Sequence, residues 1–401
     1  MAQNNILGIV HTHANRVLHC ATEMYCQKLT ARGYNAHIVD LADPEWIRHM
    51  GHLLRYREVA FAFGLQGIGS RLEDSEGENL WLAAKVPFLC LHHDNPCYNP
   101  INHANDSPYV ANMYFYPSFL ELKQRYLPGA QISALLPLEL LDIPAPPRIP
   151  FADRPIKLLF LKGGAPLDPM EEQLRHLPKS LHDGIRDQLR QATRNPNLQI
   201  CDLIQEVFDR LKLDREDHHK TFWGIAQVMD IWLRRKRALD FVDWLKFQDG
   251  AVIVGDGWDF IDRTGARAAF RTGVPAINTV QLYEQAQFTC NTNPYGRDIV
   301  HERILYGMLM GGCVLSDGNA WLDQTLDSVP ALTRFRWDQP LDDQLRPALS
   351  DLSAAALNAA AGRDAIIARY KPDKLIEVMI DSAHQIAVTL DQFAREKTTG
   401  S

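Results

Sequence analysis

The feature that most constrains this chain is a succession of short, almost uninterrupted apolar runs, each followed by a segment with helical spacing. Ile6-Leu7-Gly8-Ile9-Val10 is the first run, and His11-Thr12-His13-Ala14-Asn15 is a polar turn. Apolar residues then recur at Val17, Leu18, Ala21, Met24, Tyr25 and Leu29, which is one face of a helix. Gly33 punctuates its end, and Ala36 to Leu41 is a second strand. A strand–helix–strand unit of this kind closes as a right-handed parallel crossover. The alternation goes on through Val59–Phe63, a helix ending near Lys85, and Val86–Leu91, with weaker strands at Tyr109–Tyr116 and Ala130–Leu136. Strands apolar along their whole length belong to a parallel sheet covered on both faces.

Ile143-Pro144-Ala145-Pro146-Pro147-Arg148-Ile149-Pro150 interrupts this pattern with a proline-dense, semi-extended linker. The alternation then restarts at Ile156–Leu161 and continues at Ala251–Gly255, Gln287–Asn291 and Gly312–Ser316. Residues from about 167 to 247 read as mostly helical. The expected division is an N-terminal Rossmann-like domain 1–142, a linker 143–155, a C-terminal Rossmann-like domain 156–380 with the helical insertion 167–247, and a helix and tail 381–401. The class is α/β. A length of 401 residues suits two such domains.

Composition excludes some functions. The chain is 46% hydrophobic and 23% charged with a formal charge of −7, so it lacks the basic footprint of a general nucleic-acid binder. No run reaches the roughly 18 apolar residues of a membrane span, and the start carries no basic segment before its short apolar run. Its seven cysteines form no C-x-x-C pair, so neither a zinc knuckle nor a disulfide framework is indicated. A cytoplasmic protein that is not integral to the membrane is expected.

In open parallel sheets ligands bind beyond the carboxyl ends of the strands. No Gly-x-Gly-x-x-Gly follows the first strand, which argues against a nicotinamide or flavin enzyme. His11 and His13 could face a substrate there. His92, His93, Asp94 and Asn95 follow the Val86–Leu91 strand and read either as acid–base and acceptor-binding groups or as a local Asx-type turn. Lys162-Gly163-Gly164 pairs a point charge with exposed amides, suited to a phosphate or to a simple turn. Gly255-Asp256-Gly257-Trp258 has the same double reading, with Trp258 a flat surface for a base or a domain interface. The richest segment is Asn291 to Arg303, where a polar loop with Asn293, Tyr295, Arg297 and Asp298 enters a helix whose first turn carries His301, Glu302 and Arg303. Free amides and the positive helix end favour an anion, and Arg303 adds a bidentate contact. The plainer alternative is capping, with Asp298 as N-cap and Glu302 favourable near the helix start. The basic run Arg234-Arg235-Lys236-Arg237, with Trp232, reads as a solvated helix face or, less favoured, a partner surface.

The run His301 to Asp317 resembles the C-terminal signature of GT-B glycosyltransferases, nearest to the CgeB-like branch of the glycosyl transferases group 1 type. Val252-Ile253-Val254-Gly255-Asp256-Gly257-Trp258 is similar to that family's strand and turn. Phe270 to Val274 through Leu282-Tyr283, and the turn His93-Asp94-Asn95-Pro96, add weaker matches. The good matches span roughly residues 250 to 317. The resemblance implies two Rossmann-like domains facing a cleft, and a bacterial-type hexosyltransferase of glycan biosynthesis. It implies a UDP- or GDP-linked sugar bound mainly by the second half, an acceptor bound mainly by the first, and no obligatory metal or other cofactor. The donor set would be Lys162, Gly163, Gly164, Gly255, Asp256, Trp258, Asn293, Tyr295, Arg297, Asp298, His301, Glu302 and Arg303. The catalytic set would be His13, His93, Asp94 and Glu302, with His11, His13, His92 and Asn95 toward the acceptor. That acceptor could be a protein, a lipid-linked glycan or a small molecule, and a homo-oligomer is compatible. Where many retaining members carry Glu-x7-Glu, this chain has Asp298 and Tyr306, with Glu302 one helical turn before Tyr306. The alternatives are a sugar-nucleotide epimerase or phosphorylase on the same fold, or a degenerate GT-B scaffold.

Overall fold

The computed structural model describes residues 4–13, 16–56, 58–127, 129, 131–138, 144–274, 279–370 and 374–399. Asn15, Ala130, the start of the linker at Ile143, and residues 275–278 within the Phe270–Tyr283 stretch lie outside the described residues. The chain forms two units, Met1–Leu141 with Lys371–Ser401, and Asp142–Tyr370.

The first unit contains β1 (Asn5–Val10), β2 (Asn35–Asp40), β3 (Val59–Leu65), β4 (Phe88–His92), β5 (Val110–Tyr114) and β6 (Ser133–Leu135), all parallel in the order β2-β1-β3-β4-β5-β6. Leu7, Ile9, Ala62, Phe88, Cys90 and Val110 on one face pack with Met50, Leu53 and Trp81 from the flanking helices. Near-complete burial of β1, β3, β4 and β5 explains their unbroken apolar composition. The order reverses between β1 and β3, which places this unit's switch point at their carboxyl ends.

The second unit contains β7 (Ile156–Leu161), β8 (Ala251–Val254), β9 (Ala269–Arg271), β10 (Ala286–Asn291), β11 (Cys313–Asp317) and β12 (Leu332–Phe335), again all parallel. The order β12-β11-β10-β7-β8-β9 is the doubly wound arrangement with its switch point between β7 and β10. Helices Asp168–Arg175, Lys179–Arg194, Ile200–Leu211 and His219–Leu245 lie between β7 and β8. The last of these is the crossover helix, and Phe241 packs on Phe160 of β7 at 5.3 Å between ring centroids. The other three cover its outer side, so it is buried around much of its circumference.

The ending of the chain differs from expectation. Lys374–Thr399 is one helix, not a second-domain segment up to 380 followed by a separate tail. It belongs to the first unit, where Leu375, Ile376, Met379, Ala383 and Ile386 are buried and the helix packs on β3, β4 and the helix Arg16–Ala31. Arg32 pairs with Glu377 at 3.3 Å. Among the described residues no cysteine forms a disulfide. Among the described residues no helix is long and apolar enough to cross a membrane.

Candidate functional site

The switch point of the second unit gathers most of the polar residues singled out in its sequence. Lys162 follows β7, the loop from Thr292 to His301 follows β10, and Asp317 ends β11. Lys162 is half-buried, and its Nζ donates to Thr292 Oγ1 at 2.9 Å. The two glycine-rich turns lock onto each other. Gly164 N donates to Asp256 O at 2.8 Å, and Trp258 Nε1 donates to Lys162 O at 2.8 Å. A Cβ on Gly164 would lie 2.4 Å from the Trp258 ring and 2.7 Å from Gly257 O, so the glycine is required for this close packing. Gly255 N donates to Arg271 O, and Asp256 Oδ1 accepts from Gly273 N. Gly164, Gly255, Asp256 and Trp258 therefore frame the site rather than line it. Trp258 is 2% exposed and offers no open face to a base. Gly163 is exposed.

The loop after β10 holds itself in place through asparagines. Asn293 N donates to Asp317 Oδ1 at 2.6 Å, and Asn293 Nδ2 donates to Asp317 O at 3.0 Å and Ser316 Oγ at 3.1 Å. Asn293 Oδ1 accepts from His301 N at 3.2 Å. The N-cap of the helix Glu302–Leu309 is His301, not Asp298, which is buried in the loop. His301 Nδ1 accepts from Arg303 N at 3.3 Å and from Arg303 Nε at 3.2 Å. Arg303 Nη1 donates to Leu161 O at 2.5 Å, which ties this first helical turn to the end of β7. Burial, reinforced by Arg303, pushes the His301 pKa down to about 4, and Glu302 Oε2 lies 2.9 Å from the same Nδ1. Glu302 stands at the rim with its side chain 65% exposed. Desolvation raises its pKa, but His301 and Arg303 outweigh that and keep it ionised. Arg297 is half-buried. Tyr295 is 2% exposed, and its hydroxyl donates to Asn195 O at 3.0 Å, so it clasps the loop to the helical insertion instead of facing a ligand.

Two further cations enter from the long crossover helix, and sequence reasoning missed them. Arg234 Nε lies 2.7 Å from Asp230 Oδ2, and Arg237 Nη1 lies 3.6 Å from Asp317 Oδ2. Arg237 is 1% exposed. The basic run is thus held by partners within the fold and is not a simple solvated face. Lys236 pairs with Asp240, Arg235 donates to Pro166 O, and Trp232 Nε1 donates to Glu171 Oε1 inside the insertion. The available signal was the spacing of Asp230, Arg234 and Arg237 with Phe241, which sets them on one helix face with a core residue. The Lys162 ammonium lies well below its usual pKa. Burial is the main cause, Arg303, Arg234 and Arg237 add repulsion, and Asp317 opposes them. Lys162 and Arg303 thus sit at the end of β7, with Arg234 and Arg237 near enough to act on the Lys162 charge while paired to buried Asp230 and Asp317. This is a setting in which an anion is favoured.

The first unit's switch point is different in kind. His11 is half-buried and His13 exposed, their rings edge-on with centroids 6.1 Å apart. Between them Thr12 N donates to Asp40 Oδ1 at 3.0 Å, and the Thr12 hydroxyl bonds the other carboxylate oxygen. His93 stacks on Phe115 at 3.8 Å. Asp94 is exposed, and its Oδ2 accepts from Gln66 Nε2 at 2.9 Å. Gln66 holds this position with a left-handed φ of 56° at the end of β3, an uncommon conformation for a side-chain-bearing residue. His92 and Asn95 sit elsewhere than expected. His92 is the last residue of β4 and points into the core, fully buried, with Nε2 bonded to Asn112 Oδ1 at 2.9 Å and its ring 3.9 Å from that of His103. Burial takes its pKa down to about 4. Asn95 is buried and caps a short 3-10 turn through Cys97 N at 3.0 Å.

Among the described residues no three His, Cys, Asp or Glu side chains converge as a metal-ligand set. No family model and no curated protein matches the chain. Solved structures do match it over nearly its whole length. An α-glucosyltransferase in complex with UDP-glucose and DNA containing an abasic site superposes with a TM-score of 0.54 at 6% identity, covering 95% of this chain and 99% of that one. Sucrose-phosphate synthase from Thermosynechococcus elongatus gives 0.50 at 11% identity over 99% and 100% of the two chains. AviGT4, a glycosyltransferase involved in avilamycin A biosynthesis, gives 0.50 at 13% identity over 96% and 98%. At these identities the likeness is one of fold: two Rossmann-like units of parallel strands, the GT-B fold.

Proposed function

We propose that this chain is a glycosyltransferase that takes a sugar from a nucleoside-diphosphate donor bound at the second unit's switch point. The observation that carries this reading is that Lys162, bonded to Thr292, and Arg303, bonded to Leu161 O, meet at the end of β7 beside the N-terminus of the helix Glu302–Leu309. Breaking the bond between a sugar's anomeric carbon and a diphosphate oxygen leaves negative charge on the diphosphate. Pre-positioned cations and helix amides stabilise that charge as it develops. This charge stabilisation needs only the chain's own residues. Lys162 and Arg303 contact the diphosphate in this account, and Arg234 strengthens the local field. Glu302 at the rim accepts hydrogen bonds from ribose or sugar hydroxyls. In the first unit Asp94, held by Gln66, is the base toward the acceptor, with His93 and His13 as the further groups on that unit's strand ends. UDP is the nucleotide we favour, in line with the UDP-glucose bound by one structural neighbour. The CgeB-like branch is the kinship we propose within the fold.

The test is calorimetry and thermal shift with UDP, GDP and a panel of their sugars, together with assay of nucleoside diphosphate release. Binding of a nucleoside diphosphate, lost in Arg303→Ala, is expected. Absence of binding by every nucleotide would overturn the reading, and interconversion of the free sugar nucleotide without acceptor would replace it with an epimerase.

A further inference from the structure

The loop from Thr292 to His301 carries the site's polar groups but has no regular secondary structure of its own. Its position depends on what it is pinned to. Asp317 is the main pin, since one carboxylate oxygen accepts from Asn293 N, and Asn293 Oδ1 accepts from His301 N. The other oxygen of Asp317 accepts from Trp337 Nε1 at 3.1 Å and lies 3.6 Å from Arg237 Nη1. Asp317 is 1% exposed, and so is Arg237. The guanidinium of Arg237 also lies 5.0 Å from the centre of the Tyr295 ring. Its Nε and Nη2 have no hydrogen-bond partner. An arginine buried with unpaired donors is costly, and replacing such a pair by apolar groups often stabilises a fold. Retaining it here points to a task other than stability. The insertion also grips the loop from its outer side. Tyr295 donates to Asn195 O, and Asn197 Oδ1 accepts from Ala320 N at 3.0 Å, next to Asn319, whose Nδ2 donates to Ile299 O at 2.7 Å. Asn195 and Asn197 lie in the turn between the helices Lys179–Arg194 and Ile200–Leu211.

We infer that the helical insertion is a positioning element of the ligand site: Arg237 orients Asp317, Asp317 orients Asn293, and Asn293 holds the His301 cap that aims Arg303 and the helix N-terminus. Arg237 is a positioning residue in this scheme. The consequence for nucleotide affinity rests on the proposed function, whereas the consequence for loop order does not.

The experiment measures hydrogen exchange of peptides spanning 291–303, with β1 and β4 peptides as internal reference, and UDP affinity by calorimetry. The variants are Arg237→Lys, Arg237→Met, Tyr295→Phe, and the double variant Arg237→Met with Asp317→Asn. The double variant removes both buried charges, so it keeps the fold if Arg237→Met alone does not. Exchange in 291–303 should rise tenfold or more in the double variant and less in Tyr295→Phe. Arg237→Lys should restore protection in part, and UDP affinity should fall in the same order. Folded variants with wild-type exchange in 291–303 would overturn the inference. If wild-type protein binds no nucleotide, the proposed function fails, and the exchange result still decides the positioning role.

Discussion

The two switch points of this molecule share a backbone plan and differ in chemistry. Each lies where strand order reverses in a six-stranded parallel sheet, β1 against β3 in one unit and β7 against β10 in the other. At the second, Lys162 and Arg303 meet at the end of β7 beside a helix N-terminus, with Arg234 and Arg237 acting on the Lys162 charge. At the first, the residues presented are His11, Thr12, His13, Gln66 and Asp94, with Asp40 holding Thr12. A fold supplies the same crevice twice, and the side chains decide what each crevice takes. A cationic crevice suits a leaving diphosphate. One lined by imidazoles and an exposed carboxylate suits a hydroxyl that must lose a proton.

The largest effect expected from breaking this contrast is at Arg303. Arg303→Ala removes a charge, a contact to Leu161 O and a partner of the His301 cap, so nucleotide affinity should fall about a hundredfold or more, on the order of 3 kcal/mol. Calorimetry with UDP checks it, with Asp94→Asn as the contrast: that variant should leave UDP affinity unchanged and depress turnover. A second test concerns protons. Lys162 is held well below its usual pKa by burial and its arginine neighbours. A bound diphosphate reverses that field, so binding should take up a proton, and affinity should weaken as pH rises. Titrations in buffers of different ionisation enthalpy report the uptake directly, and Lys162→Met should abolish it.

A third test is specific to the first unit. His92 has a folded pKa of about 4 against an ordinary 6.5, because burial disfavours the imidazolium. The unfolded chain protonates first as pH falls. Stability is therefore complete above pH 6.5 and drains between 6.5 and about 4, by on the order of 3 kcal/mol, with buried His103 acting in the same direction. Exchange of β4 and β5 amides across that range measures it, and His92→Gln should flatten the slope. The smallest effect is at Trp258. Trp258→Phe removes the bond to Lys162 O and should cost about 1 kcal/mol, with a few-fold loss of nucleotide affinity.

Much of the fold was legible because strands buried on both faces must be apolar throughout. β9 and β12 were not, since Ala269-Phe270-Arg271 and Leu332-Thr333-Arg334-Phe335 are short, half-exposed and mixed in polarity. Lys162 stood out because it follows a strand directly, and the His301–Arg303 turn because a polar loop leads from a strand into it. Arg237 did not, because its partner Asp317 is 80 positions away in the chain, and a basic run on a helix reads the same over water as over a buried carboxylate. His92 and His93 show the limit at finer scale. They are neighbours, yet alternation along β4 sends one into the core and leaves the other to stack on Phe115 at the strand end.

The most direct test of the central claim is a crystal structure of the protein with UDP. Diphosphate oxygens are expected within about 3 Å of Lys162 Nζ and the Arg303 guanidinium, beside the His301-capped helix. A nucleotide seated in the first unit, or one whose phosphates leave Lys162 and Arg303 untouched, would contradict it.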